Sequence, residues 1–219
     1  MRKTLLIILV FVILSASVYL FLNQKPTGNF IYDDDVEVSV NGDKITSQDV
    51  NDVYDKIPEE IRLETSKKDV LDDLIDQKLL LQEAEDKGIY ATEEEVDNYL
   101  EQIKLSTGVE GNFEKIIADA GFTLEDYKES LKELITVSKL LDEVLDLQNV
   151  NVTDAEVNDY ISANQDLQQI SEDEIDLDFL TVRIRQKLIL DKQQELVDNY
   201  IQSLKDKAEI EIRGGIVSD

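Results

Sequence analysis

Several stretches of this chain place a hydroxyl residue three positions ahead of an acid at the head of an apolar run. These are Thr46-Ser-Gln-Asp49, Thr92-Glu-Glu-Glu95, Thr123-Leu-Glu-Asp126, Thr153-Asp-Ala-Glu156 and Ser171-Glu-Asp-Glu174. The hydroxyl accepts from an orphan amide of a first helical turn, and the acid reaches back or complements the helix dipole. The chain therefore marks its own helix starts. The two Asp versions carry a shorter acid than the Glu or Gln the box favours, which predicts weaker caps. The starts lie 46, 31, 30 and 18 residues apart, too uneven for a solenoid period, so shared capping explains the recurrence. Two Pro and eight Gly in 219 residues leave few breaks, which argues for long helices and against a loop-rich β fold.

Apolar spacing fills in the helices. A short one runs from Thr46 to Lys56 and stops before Pro58. Ser66–Lys87 places Val70, Leu71, Leu74, Ile75, Leu79 and Leu81 mostly on one broad face and ends at Gly88. Glu93–Leu105 buries Val96, Tyr99, Leu100 and Ile103. Phe113–Ala120 is capped by Asn112 and stopped by Gly121. Leu124–Leu147 carries a stripe of Tyr127, Leu131, Leu134, Leu141 and Leu145, and Asp154–Ala163 is short. The last helix, about Asp176–Lys207, carries Phe179, Val182, Leu188, Val197, Tyr200, Ile201 and Leu204. Its length suits an arm or central spine.

Two segments alternate instead. Val36, Val38 and Val40 share one face before the tight turn at Asn41-Gly42, and Ala208-Glu-Ile-Glu-Ile212 alternates before Gly214-Gly215. Isolated strands are not stable, so these two are expected to pair. The predicted fold class is mainly α, with one small two-stranded sheet joining the N- and C-terminal strands of a domain over 36–219. Its core spans 36–164, and the long helix and strand span 176–212.

The N-terminus reads as a membrane signal. Arg2 and Lys3 precede an apolar run from Leu5 to Leu14, then Ser15-Ala16-Ser17, then Val18–Leu22. As one helix, Thr4–Leu22 spans roughly 28 Å, close to the hydrocarbon thickness of a bilayer. The charge asymmetry puts the N-terminus inside and the rest outside the cytoplasmic membrane. The apolar residues beyond Ser17 favour an uncleaved single-pass anchor over 1–23; the rival is a signal peptide cleaved at the small residues, which releases the chain as a secreted protein. Either way the body is exported. Residues 24–35, with Asp33-Asp34-Asp35, read as an acidic solvated tether.

Composition excludes several functions. With no His and no Cys, the chain has no zinc site of the His–Cys kind, no thiol nucleophile, no Ser-His-Asp triad and no disulfide. A net charge of −27 disfavours nucleic acid as a partner. Setting aside Arg2 and Lys3 leaves −29 on the exported part, read as a strongly solvated surface. No phosphate-cradling loop, metal motif or cofactor motif is present, so no catalytic residue and no cofactor is assigned.

The order of the motifs resembles a known family. Val38-Ser-Val-Asn-Gly-Asp-Lys-Ile-Thr46 is similar to the opening of the SurA/PrsA family of extracytoplasmic folding factors. The helix Val70-Leu-Asp-Asp-Leu-Ile-Asp-Gln-Lys-Leu-Leu-Leu-Gln82, with Ala84 and Gly88-Ile89, resembles the family's next helix. Thr92-Glu-Glu-Glu-Val96 follows in order, then Phe113 with Gly121-Phe-Thr-Leu-Glu-Asp-Tyr127, then Val152-Thr-Asp-Ala-Glu-Val157 with Tyr160. The resemblance covers about Val36–Asn164, and the final helix with Ala208–Ile212 looks like the return of the same domain. A parvulin-type peptidyl-prolyl isomerase domain usually precedes that return. Here only Gln165–Asp176 stands in its place, and parvulin sites use His.

The resemblance implies an ATP-independent, membrane-anchored holdase or foldase that binds unfolded or newly exported polypeptides. Of the residues on the middle helices, Tyr99, Ile103, Phe113, Ile117, Phe122 and Tyr127 are the candidates for a concave apolar peptide-binding surface, with ordinary core packing the competing reading. Two other functions compete: a membrane-anchored scaffold or assembly factor for one specific partner, and a degenerate isomerase.

Overall fold

A computed structural model of the chain describes residues 30–32, 37–108, 111–164, 177–213 and 216–218. The helix starts lie where the hydroxyl–acid boxes put them. Thr46 heads α1 (Ser47–Lys56), Thr92 heads α4 (Glu93–Thr107) and Thr153 heads α7 (Asp154–Ala163), each with the reciprocal pair of bonds. Thr123 and Asp126 make the same exchange at α6 (Leu124–Leu145). Ser66 and Asp69 add another box at α3 (Lys67–Asp86). Of the Asp boxes, Asp49 and Asp69 each reach back 2.8 Å to the cap amide, as Glu95 and Glu156 do at 2.7 and 2.8 Å, while Asp126 reaches Thr123 at 3.2 Å. The Ser171 box and the anchor segment Thr4–Leu22 lie outside the described residues. Among the described residues, no helix is long and apolar enough to cross a membrane.

Among the described residues, the remaining α-helices are a single turn, α2 (Glu59–Arg62), a seven-residue α5 (Phe113–Asp119) and the 29-residue α8 (Leu177–Lys205). Asn112 stands at the N-cap of α5 but makes no side-chain cap bond, contrary to its expected role. Its backbone, at φ −129° and ψ 4°, is outside the extended region from which a cap side chain turns back to the first turn.

The sheet corrects the two-stranded expectation. Three strands, β2 (Glu37–Val40), β3 (Asp43–Thr46) and β4 (Ile210–Arg213), pair antiparallel in the order β3-β2-β4. Asn41 and Gly42 both take positive φ, the two-residue turn whose twist folds β3 straight back onto β2. Val38 then faces Ile45 on one side and Ile212 on the other, and Val38 and Val40 are fully buried. The pairing of N- and C-terminal strands holds, with β2 central rather than at an edge. A second pair joins β1 (Phe30–Tyr32), inside the stretch read as tether, to β5 (Ile216–Ser218), with Ile31 opposite Val217. Phe-Ile-Tyr is a strand-forming triplet.

The chain divides into two compact units, one of residues up to Leu140 together with Ile201 onward, the other Leu141–Tyr200. The span 36–219, read from sequence as one domain, contains both. In the first, the hairpin is tied to α3. Asn41 Nδ2 donates to Gln82 Oε1 at 2.9 Å, and Gln82 Nε2 donates to the Val40 carbonyl and the Asp43 carboxylate. Asn41 also exchanges two bonds with the backbone of Glu209, which leads into β4. In the second unit, Val152, Val157 and Ile184 form the core, with Tyr160, Leu180 and Leu188 against it. Arg185 bonds the Val152 carbonyl and Asp154, while Lys192 bonds Glu156 and the Asn151 carbonyl.

One acid in the first unit is costly. Burial pushes Asp73 of α3 up to about 8 from its ordinary 3.8; Asp76, Asp69 and Asp72 add to the shift and Lys205 opposes it. Lys205 pairs with Asp76, and Asp69 serves the Ser66 cap. Between about pH 4 and 8 the folded chain holds a proton at Asp73 that the unfolded chain releases, so stability falls as pH rises through that window. Asp73→Asn is expected to stabilise the fold at pH 8 by on the order of 1–3 kcal/mol. In urea unfolding, the gain should grow from about pH 4 to 8 and level off above.

Candidate functional site

The apolar residues of α4, α5 and α6 meet in one cluster of the first unit: Val96, Leu100 and Ile103 from α4, Phe113 and Ile117 from α5, and Tyr127 and Leu131 from α6. Helical spacing sets this up. Val96, Leu100 and Ile103 are four and three residues apart, as are Tyr127, Leu131 and Leu134, so each helix turns one apolar stripe inward. Phe113 and Ile117 sit one turn apart on α5, each 1% exposed, while Glu114, Lys115, Ala118 and Asp119 face outward. The Phe113 and Tyr127 rings meet edge to face at 5.2 Å, the arrangement favoured by the aromatic quadrupole.

A polar ladder aligns α4 with α6. Lys128 pairs with Asp97 at 2.7 Å, Lys132 with Glu93 at 3.0 Å and Lys139 with Glu95 at 2.9 Å. Lys139 also donates to the Tyr90 carbonyl, and the buried Thr136 hydroxyl accepts from the Ala91 amide. The Lys139 bond, with those from Thr92, holds the Glu95 carboxyl down to about 2. Asp97 raises Lys128 and Glu93 raises Lys132 through the same hydrogen bonds.

The six residues picked from sequence separate here. Ile103, Phe113, Ile117 and Tyr127 are core, closed to solvent. Phe122 is half-buried against the cluster, with Lys56 4.5 Å over its ring. Tyr99 is 38% exposed on α4. The structure thus brings the six to one locus, with Tyr99 and Phe122 at its accessible margin. The sequence pattern leaves Tyr90 open between binding surface and core and does not mark Leu63 or Leu105, and all three are exposed. It placed Phe179 and Val182 in an apolar stripe of the last helix, where both are more than half exposed. No residue-type signal separates these from core positions, since both recur at helical spacing. Among the described residues, no group of three His, Cys, Asp or Glu is placed to hold a metal ion.

Beneath the cluster lies one unsatisfied group. The Tyr127 hydroxyl is buried without a hydrogen-bond partner, and burial pushes it far above the usual phenol range. An orphaned buried hydroxyl costs about 1–3 kcal/mol. Tyr127→Phe keeps the ring contact and is expected to raise stability by about 1 kcal/mol. Leu131→Ala, which leaves a void in the same cluster, should lower it by about 2–5 kcal/mol. Urea unfolding of the two variants beside the parent checks both signs.

Known proteins share this arrangement of helices. The SurA-like N-terminal domain family matches residues 1–141, which take in the whole of the cluster. The foldase protein PrsA of Caldanaerobacter subterraneus subsp. tengcongensis is 30% identical over 151 residues, covering 60% of this chain and 44% of that protein. The foldase protein PrsA of Clostridium botulinum strain Langeland is 29% identical over 153 residues, covering 65% of this chain and 45% of that protein. The chain thus spans less than half the length of these relatives. A solved chain from work on PEB4 and Cj1289 of Campylobacter jejuni, described as two structurally related SurA-like chaperones, superposes with a TM-score of 0.61 at 11% identity. The superposition covers 83% of this chain and 100% of that one, and shows a shared fold.

Proposed function

We propose, since this chain belongs to the SurA-like N-terminal domain family, that it is an ATP-independent chaperone that holds non-native polypeptides outside the cytoplasmic membrane. The observation that carries this reading is the coincidence of the family match, residues 1–141, with the unit that gathers the apolar faces of α4, α5 and α6. Holding a non-native chain requires apolar surface at helical spacing and a polar exterior that keeps the complex dispersed. The accessible margin of the cluster at Tyr99 and Phe122 supplies the first, and the net charge of −27 supplies the second. Binding the unfolded state delays aggregation by mass action and needs no nucleotide. In this reading Thr4–Leu22 anchors the chain, single-pass with the N-terminus inside, and residues 24–29 space the folded part from the membrane.

Prolyl isomerisation is no part of the proposal. Only residues 164–176 lie between α7 and α8, and the sequence has no His. A scaffold for one specific partner is the second reading, favoured by α8, where Phe179, Val182 and Leu190 are exposed. Helical spacing puts these three on one side of α8.

The test is light scattering of a heat- or dilution-unfolded model protein with the exported part added. The proposal expects aggregation to be suppressed at about one-to-one stoichiometry without ATP, for several unrelated proteins. Unchanged scattering at a several-fold excess contradicts it, and capture of a single folded partner supports the scaffold instead.

A further inference from the structure

Helix α5 is built unlike its neighbours. With seven residues it is well below the roughly 12–15 at which helices hold on their own in water, so packing must hold it. Its N-terminal end lacks the side-chain cap that Thr92 and Thr123 give to α4 and α6. Its C-terminal end is fixed. Gly121, at φ +85°, donates to the Ala118 carbonyl and Phe122 donates to the Ile117 carbonyl, the paired bonds of a Schellman cap. Any lifting of α5 therefore starts at Phe113.

Meanwhile the walls on either side do not depend on α5. The three Lys–acid pairs join α4 and α6 directly, and the Thr136–Ala91 bond ties α6 to the residue before the α4 cap. Between them, Leu100, Ile103, Tyr127 and Leu131 are buried in one apolar cluster with Phe113 and Ile117. The closed arrangement leaves the Tyr127 hydroxyl unpaired, so opening costs no hydrogen bond there and offers one.

We infer that α5 is an intramolecular stand-in for a client, and that the α4–α6 groove beneath it takes an amphipathic helical segment of a non-native polypeptide bearing two apolar side chains one turn apart. This rests on the chaperone reading above and names the binding groove of that same unit. The occupant is specified by α5 itself: an aromatic residue first, a branched aliphatic four residues on with the half-buried Ile116 beside it, and Glu114, Lys115, Ala118 and Asp119 outside. That is the pattern by which helices enter apolar grooves. Lys104, 5.5 Å over the Phe113 ring, is in place to meet a client's aromatic residue in the same way. In this account four of the six sequence candidates act as plug and floor, and Tyr99 and Phe122 mark the margin.

The chain has no Trp, so Phe113→Trp gives the full chain a single fluorescent reporter on α5. The client is a tryptophan-free model protein kept unfolded by reduction and alkylation. Binding is expected to red-shift the indole emission of the F113W variant and raise its acrylamide quenching at least about threefold. In the parent protein, amides of residues 116–120 should exchange faster with client present while those of α4 do not. The exchange measurement stands if the F113W variant fails to fold. Client binding with the indole emission and α5 exchange unchanged overturns this inference and leaves the chaperone reading intact. Absence of client binding overturns both. A red shift that follows protein concentration alone assigns the groove to a second copy and overturns the client assignment.

Discussion

The first unit depends on a junction of three side-chain and backbone partners far apart in sequence. Asn41, in the turn of the hairpin, bonds Gln82 on α3 and the backbone of Glu209 at the entry to β4. Closing so long a loop is entropically expensive, and sheet pairing must offset it. Asn41 does so by filling two roles at once. It takes the positive φ the turn demands, and its amide group supplies a donor to one element and an acceptor to another. Gln82 answers with bonds to Val40 and Asp43 on the two strands. With that junction made, β2 becomes the central strand and its two fully buried valines have a floor on both sides.

From α3 the chain turns through Gly88 into α4 and α6, where two kinds of interaction divide the work. Exposed Lys–acid pairs each add little stability, but three along one helix pair, with the buried Thr136–Ala91 bond, set alignment. Burial of apolar stripes then supplies the energy. Helix α5 takes part only in the second. It has no share in the ladder and no N-terminal side-chain cap, and its place rests on Phe113 and Ile117. A unit of this construction holds its frame while one short element remains exchangeable, and a binder of non-native chains needs an apolar interior that stays covered until used.

Local chemistry was legible in the sequence and surface assignment was not. Thr46, Thr92, Thr123 and Thr153 announced their helices because capping needs only four neighbouring residues. Strand β3 gave no such notice, since Asp43-Lys44-Ile45-Thr46 has one apolar residue and is held by the turn before it rather than by its own pattern. The weak N-terminus of α5 was hidden for a related reason: Asn112 has the right side chain and the wrong backbone angles. Five of the six candidate residues lie in or against one apolar cluster and Tyr99 stands exposed on α4, but period 3.6 is the same for a core stripe and a cleft stripe. Phe113 and Phe179 read alike in sequence, and one is buried where the other is exposed.

If non-native polypeptides meet this chain at the margin of the α4–α6 groove, the contact is local and can be trapped there. Photoreactive residues placed singly at Tyr99, at Phe122 and, as a control on the hairpin, at Lys44 test it most directly. Crosslinks are predicted from positions 99 and 122 to several unrelated unfolded proteins, with few from position 44, and none to the same proteins when folded. Equal crosslinking from all three positions, or crosslinking only to one folded partner, would contradict it.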